Sequence, residues 1–286
     1  ENKIFKMMNF YLSMLHMDDE LSFFNDSYFG LAPEKQKILD YAKKLDLKVN
    51  ESNDYVINYK DSGYVSVKKE HYKFIFDAAD VGASYIPGHA HADTLSFEFS
   101  NLGERVFVNS GTSSYLNSNL RAFQRSTKAH NTLELNNKNS TKVWHSFRVA
   151  DRAKIINRLV EKKNEKIYLS ASHDGYKTLF GGNIHQRNIV IHKSKIILED
   201  KIYGRYKTAI SRIYLHPDID CFTKDGLIKL KAKKAIYTIS STSNLDFKIL
   251  NAFWYPEMGK KLSTKLIEFN VHEGKNNIEI TWDEIV

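Results

Sequence analysis

Short stretches in which apolar and polar residues alternate dominate the chain from about residue 54 onward. This period of two limits the fold more than any other feature of the sequence. Successive side chains of a β-strand point to opposite faces, so the alternation predicts strands that bury one face. Turn residues such as Asp225-Gly226 and Gly181-Gly182 separate the stretches. No alternation of strands with helices is present, which disfavours a Rossmann fold or a β/α barrel.

More than ten such stretches follow one another with gaps of hairpin length, which predicts a mainly β protein built as a large antiparallel β-sandwich. The stretches are YVSVKKEHYKFIFD, TLSFEFS, RVFVNSG, NTLELNN, KIYLSAS, IVIHKSKIILEDKI, AISRIYLHP, LIKLKAKKAIYTISS, LIEFNV and NIEITW.

The first 48 residues have a different pattern. Apolar residues recur at helical spacing over 3–16, and Pro33 is placed to start a second helix. Two helices ahead of a β region are typical of the end of a helical domain. We therefore expect a helical segment over 1–48 and the sandwich over 49–286.

Composition and charge narrow the possible partners. The 286 residues are 42% hydrophobic, enough for a large core, and 42 basic against 34 acidic side chains give a net charge of +8. This charge suits an anionic partner such as an acidic polysaccharide. Nucleic acid is disfavoured because no long run of like charges and no stacking motif is present. No apolar stretch approaches ~18 residues, so no membrane span is expected.

The ends and the cysteine content add two expectations. Cys221 is the sole cysteine, which excludes an internal disulfide and a cysteine zinc cluster. The chain begins at Glu1 without a methionine or a signal-like segment, so we expect that the start of a longer protein is missing.

The segment PGHAHADTLSFEFS (87–100) concentrates ionisable side chains. His89 and His91 are two apart and would share a face if the strand has already begun there. Pro87-Gly88 indicates a bend that allows close approach of a ligand. The alternative is that both are ordinary surface or core histidines.

A second polar region follows in VNSGTSSY and LRAFQRSTKAHNTLEL. Arg121 and Arg125 are four apart, fit for one face of a helical turn. They suit bidentate binding of a carboxylate or sulfate group, or else internal salt bridges with Glu98 or Glu134.

These segments resemble a known family. In order, GHAHADTLSFEF, VNSGTSSY, RSTKAHNTLEL and WHSFRV resemble the C-terminal signature of the heparinase II/III-like polysaccharide lyases, and HDGY (173–176) and HQR (185–187) continue it. The resemblance runs from FFNDSYFG, at about residue 23, to about residue 217. It is most specific over 88–149, whereas 218–286 match only as generic strands.

The resemblance implies an (α/α) toroid followed by an antiparallel sandwich, with the active cleft between them, and cleavage of uronic-acid polysaccharides by β-elimination. It implies that His89 is a catalytic base or charge-neutralising group, and that His91 and His130 are zinc ligands. Where relatives have the aspartate of a VDSG motif as third ligand, this chain has Asn109. An amide oxygen is a poorer ligand than a carboxylate, so we expect a weaker zinc site, an empty site or another ion, unless Asp93 compensates.

Two aromatic residues have two interpretations each. Tyr115 resembles a substrate-contacting or supporting catalytic tyrosine of alginate-lyase relatives, or it packs on the sandwich as a loop residue. Trp144 lies in the WHSFRV segment and either stacks on a sugar ring or packs in the core.

We therefore expect the sandwich portion of a lyase that acts on a uronic-acid glycan, in the periplasm or outside the cell. The main catalytic tyrosine and its partner lie in the toroid of such lyases, so this chain without an upstream toroid is expected to be inactive. A non-catalytic domain that binds acidic polysaccharide or serves as a scaffold is the alternative. A metal-dependent hydrolase or oxygenase of the cupin type is a third possibility, but it lacks a convincing last histidine.

Overall fold

The computed structural model describes residues 3–47, 49, 54–179, 181–241 and 246–285. Its helices are α1 (Lys3–Ser13), α2 (Lys35–Lys44) and α3 (Asn119–Gln124), and a 3₁₀ turn spans Thr127–Ala129. Within these residues, no helix has both the length and the apolar character that crossing a bilayer requires.

Strands are the predominant secondary structure of the described chain. They are β1 (Tyr55–Asn58), β2 (Tyr64–Lys68), β3 (Tyr72–Asp77), β4 (Phe97–Asn101), β5 (Glu104–Phe107), β6 (Leu133–Leu135), β7 (Lys142–Trp144), β8 (Arg148–Ala150), β9 (Ile155–Lys163), β10 (Lys166–Tyr176), β11 (Asn183–His192), β12 (Lys195–Tyr203), β13 (Ala209–Tyr214), β14 (Asp220–Lys224), β15 (Leu227–Lys231), β16 (Ala235–Ser240), β17 (Phe247–Trp254), β18 (Leu262–Asn270) and β19 (Lys275–Glu284).

The strands pair antiparallel, which confirms the predicted fold class. One sheet has the order β1-β2-β3-β4-β5, and a larger one has the order β14-β15-β16-β19-β12-β11-β10-β9. A third sheet, β17-β18-β13-β6, adjoins the first through a bridge between Phe107 and Leu215. Strands β7 and β8 form a separate hairpin.

The main core lies between the five-stranded and eight-stranded sheets. Aromatic rings such as Phe74, Phe97 and Phe99 pack there among aliphatic residues such as Ile189 and Leu198. Along β11, buried and half-buried side chains alternate at every position, because one face meets this core and the other faces outward. The alternation of apolar and polar residues in the sequence thus corresponds to the inner and outer faces of the sheet.

The helical segment packs on the outer face of the five-stranded sheet. The Ser66 hydroxyl donates to the carbonyl of Ser13 at 2.8 Å, and Met14 and Phe24 cover Ile75. Strands β3 and β4 are therefore buried on both faces. Helix α1 ends at Ser13, before the expected end at residue 16, and the domain boundary at residue 48 stays a prediction.

Glycines with positive φ explain two connections, of which the first was predicted. Asp225 and Gly226 both have positive φ (52° and 74°) and join β14 to β15, as a two-residue hairpin of type I′ requires. Gly111 has φ of 82°, and a Cβ there would lie 2.3 Å from the carbonyl oxygen of Tyr255. Only glycine lets the chain after β5 pass so close to the third sheet.

A buried polar cluster crosses the sandwich, and it consists of His173, His185, Arg187, Asp200 and Ser211. The His185 Nε2–H donates to Asp200 at 2.8 Å, and Arg187 donates to both oxygens of Asp200 at 2.8 and 2.9 Å. The Ser211 hydroxyl also donates to Asp200. Because all five side chains are buried, the HDGY and HQR segments support the fold.

The two histidines of this cluster are held neutral by their hydrogen bonds. The backbone N–H of Gly175 donates to Nδ1 of His173, whose Nε2–H then donates to Nδ1 of His185. Burial, the largest influence, lowers the pKa of both rings below the ordinary 6.5, and for His185 the carboxylate of Asp200 offsets part of this.

We expect stability to fall as the pH is lowered. In the unfolded chain both rings take up a proton below about pH 6.5, whereas the folded rings stay neutral, so the unfolded state binds more protons there. A ring that stays neutral in the folded state while it is protonated in the unfolded state lowers the stability by at most about 1.4 kcal/mol per pH unit. Urea unfolding between neutral pH and about pH 5 measures the slope. His173→Gln should reduce this slope by the contribution of one ring. An unchanged slope would contradict the role given to His173.

Candidate active site

A buried carboxylate that the sequence analysis did not single out lies at the centre of the site. Asp26, in the loop after α1, accepts hydrogen bonds from Nδ1 of His89 (2.9 Å) and Nε2 of His91 (2.7 Å). Arg121 donates to both of its oxygens, one of them at 2.7 Å. Although burial, the largest influence, raises the pKa of Asp26, the bonds from His91 and Arg121 outweigh it and hold the pKa below its ordinary value.

His89 and His91 reach this carboxylate from a turn and not from a strand. The expectation of a shared strand face held only if the strand had already begun at these residues, but β4 begins at Phe97. The His91 side chain is buried, whereas that of His89 is 68% exposed. The two imidazoles meet because both bind Asp26.

His130 lies next to His91, although 39 residues separate them. Nδ1 of His91 and Nε2 of His130 are 3.2 Å apart. The nitrogen of each ring that faces away from the other ring donates elsewhere. Nδ1 of His130 donates to the carbonyl of Ser126 at 2.7 Å, and Nε2 of His91 donates to Asp26. Burial lowers the pKa of His130 to about 4. A single proton or cation between Nδ1 of His91 and Nε2 of His130 would give both of these nitrogens a partner.

The third expected zinc ligand is directed elsewhere. The Asn109 amide donates to the carbonyl of Phe23 at 2.9 Å and accepts the backbone N–H of Asn131 at 2.9 Å. Asp93 accepts the backbone N–H of Asn25. In the described ranges, no group of three His, Cys, Asp or Glu side chains could hold a metal ion. These residues do not supply the three-ligand set of catalytic zinc sites, so zinc binding stays a prediction.

Asn109→Asp tests the role of this amide. A carboxylate oxygen would replace the NH₂ group that faces the Phe23 carbonyl, so we expect a loss of about 1–3 kcal/mol in the free energy of unfolding without zinc. The exposed Asn137→Asp is the matched control. Urea unfolding with and without zinc, together with metal analysis, gives the result. Full stability of Asn109→Asp in chelator would show that the amide has no structural role.

Arg121 and Arg125, expected to bind substrate, are both buried. Arg121 donates to Asp26 and to the carbonyl of Ser146, while Arg125 donates to backbone carbonyls that include Ala90 and Trp144. The internal salt bridge expected as the alternative exists for Arg121, but its partner is neither Glu98 nor Glu134. Arg125 joins the 87–91 turn to the β7–β8 hairpin, and Arg121 joins Asp26 to the same hairpin. This geometry does not favour substrate contact.

The exposed part of the site is aromatic. The rings of Tyr115 and Phe147 lie 5.9 and 5.3 Å from that of His89, centroid to centroid. Burial first, and the charge of Asp26 second, raise the pKa of Tyr115 to about 12. Tyr115 therefore keeps its proton at neutral pH, which suits a proton donor better than a base.

Trp144 is not a core residue, since its side chain is 39% exposed on β7. A groove of about 400 Å³ lies beside it, lined by Asn117, His145, Ser146, Phe147 and Arg148. Phe147 joins this groove to His89, so Trp144 lies near a surface that could bind a saccharide. Its stacking on a sugar stays a prediction.

Comparison with known proteins gives the family. The model of the heparinase II/III-like C-terminal domain matches residues 52–283, which is most of the chain. The chain belongs to the heparinase II/III-like family. The comparison with curated protein sequences gives no match.

Solved structures of heparinases share the fold of this heparinase II/III-like chain. Heparan sulfate lyase HepC from Pedobacter heparinus superposes with a TM-score of 0.77 at 17% identity, over 98% of this chain and 46% of HepC. A HepC mutant gives a TM-score of 0.78 at 16% identity, over 98% of this chain and 46% of the other. A heparinase III structure gives 0.75 at 12% identity, over 99% and 48% respectively. The chain thus spans just under half the length of these proteins.

The segment FFNDSYFG (23–30), which precedes the residues that the heparinase II/III-like model matches, supplies the residues that sequence reasoning missed. Phe23 is anchored in a cluster with Val108 and Trp254. Asn25 next to it accepts the backbone N–H of His91 at 3.0 Å and donates to the hydroxyl of Tyr64. From the sequence, this segment was interpreted only as a loop near the end of the helical segment, where the family resemblance begins. An acidic residue two positions after a pair of phenylalanines, in a segment included in the resemblance, was the available signal for Asp26.

Proposed function

We propose that this chain is the sandwich half of a polysaccharide lyase that cleaves a uronic-acid glycan by β-elimination outside the cytoplasm. The supporting observation is the exposed imidazole of His89, bound to a buried carboxylate and beside the Tyr115 ring, in a domain of the heparinase II/III-like family.

The reaction makes three chemical demands. A base takes the proton from C5 of the uronate, and the electron pair left behind forms the C4–C5 double bond. The bond from C4 to the glycosidic oxygen breaks, and that oxygen takes a proton from an acid. The uronate carboxylate must be neutralised so that the C5 proton becomes acidic. No water is consumed.

The described residues offer candidates for each demand. His89 is exposed and can exchange a proton, and the protonated Tyr115 can supply one to the leaving oxygen. Since Arg121 and Arg125 are buried, we assign charge neutralisation to exposed Arg148 in the groove beside Phe147. The remaining catalytic groups would come from an upstream toroid, so this chain alone is proposed to be inactive.

Heparan sulfate is the first polymer to test, because two of the similar structures are described as heparan sulfate lyases. The full-length protein would be incubated with heparan sulfate, alginate and pectic chains, and the ultraviolet absorbance of the unsaturated sugar followed. We expect product from at least one uronate polymer. Absence of product from every polymer, with a folded protein, would reject lyase activity.

The alternative of a non-catalytic binding domain is favoured by one observation. The amide of Asn109 is engaged by backbone groups of Phe23 and Asn131, so it is not directed at the imidazole pair. Titration calorimetry separates the alternatives: binding of a uronate polymer without any product would support a binding domain, and product formation would reject it.

A further inference from the structure

The bonds around Asp26 leave its carboxylate no freedom. Besides His89, His91 and both terminal nitrogens of Arg121, the Thr112 hydroxyl lies 3.5 Å from Oδ1. The Asp26 side chain is only 4% exposed, and Arg121 is fully buried. Every one of these partners except His89 is buried. The carboxylate is thus a fixed anchor with one partner at the surface.

The donors around Asp26 determine the tautomer of His89. Each carboxylate oxygen accepts an N–H from Arg121, so neither oxygen carries a proton that it could donate. Nδ1 of His89, 2.9 Å from Oδ2, must therefore be the donor. The two nitrogens of an imidazole lie on opposite sides of the ring, so Nε2 points away from Asp26. Among the described residues, Nε2 of His89 has no hydrogen-bond partner.

We infer that Asp26 is a positioning residue that holds His89 with its proton on Nδ1 and leaves Nε2 as the atom that exchanges a proton with a bound sugar. The inference rests on the proposed function for its catalytic part. A carboxylate that accepts a histidine N–H fixes both the tautomer and the orientation of the ring. The edge contacts of His89 with Tyr115 and Phe147 limit rotation of the ring further.

The same carboxylate accounts for the arrangement of the motif. Its Oδ1 binds buried His91, and its Oδ2 binds exposed His89. One side chain thus sets the positions of both histidines, although they lie in a turn with no sheet pairing. Arg121 in turn holds Asp26 in place by donating to both of its oxygens. This role gives a reason for burying an arginine close to the exposed His89.

The test uses the full-length protein and Asp26→Asn, which has the same shape but cannot accept at both oxygens. We expect kcat to fall on the order of 10²-fold with KM little changed, because general acid–base catalysis contributes about that much. Two-bond ¹H–¹⁵N spectra of the histidine rings, recorded at mildly alkaline pH and assigned with His89→Gln, report the tautomer. Wild type should show Nδ1–H, and Asp26→Asn a mixture that includes Nε2–H.

Asp200→Asn is the matched control. Asp200 is also buried and accepts from a histidine and an arginine, but it belongs to the buried polar cluster of the sandwich. Asp200→Asn should lower the free energy of unfolding, while kcat and the His89 tautomer stay as in wild type. Both variants are measured under conditions in which they are folded. A wild-type value of kcat in folded Asp26→Asn would overturn the inference. So would an Nε2–H tautomer in the wild type, a result that can be obtained even if no polymer is cleaved or Asp26→Asn does not fold.

Discussion

Loss of uronate-polymer cleavage is the expected result of His89→Ala in the full-length protein, with kcat/KM reduced by at least about 10²-fold. Among His89, His91 and His130, the variant removes the imidazole that solvent and a polymer can reach, since the His89 side chain is 68% exposed while the other two are buried. For the same reason, folding should be almost unaffected, because exposed side chains contribute little to packing. Ultraviolet absorbance of the unsaturated product measures the rate, and circular dichroism checks the fold.

His272→Ala is the control for this experiment. The His272 side chain is 67% exposed and its Nε2 lies 3.0 Å from Asp246, so it matches His89 in exposure and in its carboxylate partner. It lies in the turn before β19, apart from the site, and its removal should leave turnover unchanged. If His89→Ala cleaves as fast as His272→Ala, His89 is not catalytic and another group of the site must move the proton.

The sandwich could be predicted from the sequence because strand patterns are local. Alternation along β11, the Asp225-Gly226 turn and the separate helical period before residue 48 each follow from neighbours in the chain. Segments without clean alternation were missed, among them β9 and β17, which lie at sheet edges and are largely exposed. At an edge the contrast between buried and exposed faces is weaker, so the period of two carries less information.

The site was only partly predictable, because its contacts join distant parts of the chain. The resemblance implied a common site for His91 and His130, and their rings do lie side by side, with Nδ1 of His91 3.2 Å from Nε2 of His130. It could not show that the partner of Arg121 is Asp26, 95 residues earlier, or that the amide of Asn109 binds the backbone of Phe23. Which acid neutralises a buried arginine depends on the packing of loops, and no local pattern encodes it.

Asp200→Ala is expected to cause the largest loss of stability, about 3–5 kcal/mol in the free energy of unfolding. It leaves the guanidinium of Arg187 and the N–H of His185 without their acceptor inside the sandwich, where all three side chains are fully buried. An unpaired charge in that setting costs far more than the ion pair contributes. Urea unfolding at neutral pH, compared with wild type, gives the value.

Glu199→Ala, one residue earlier on β12, separates this effect from a general sensitivity of the strand. Glu199 accepts from Lys201 and Lys275 at 2.9 and 2.8 Å on the outer face of the sheet, so its loss should cost no more than about 1 kcal/mol. In a double-mutant cycle, Arg187→Ala combined with Asp200→Ala should cost less than the sum of the two single changes, by about 0.5–3 kcal/mol. Simple additivity would mean that Arg187 and Asp200 do not interact, contrary to the bonds that join them.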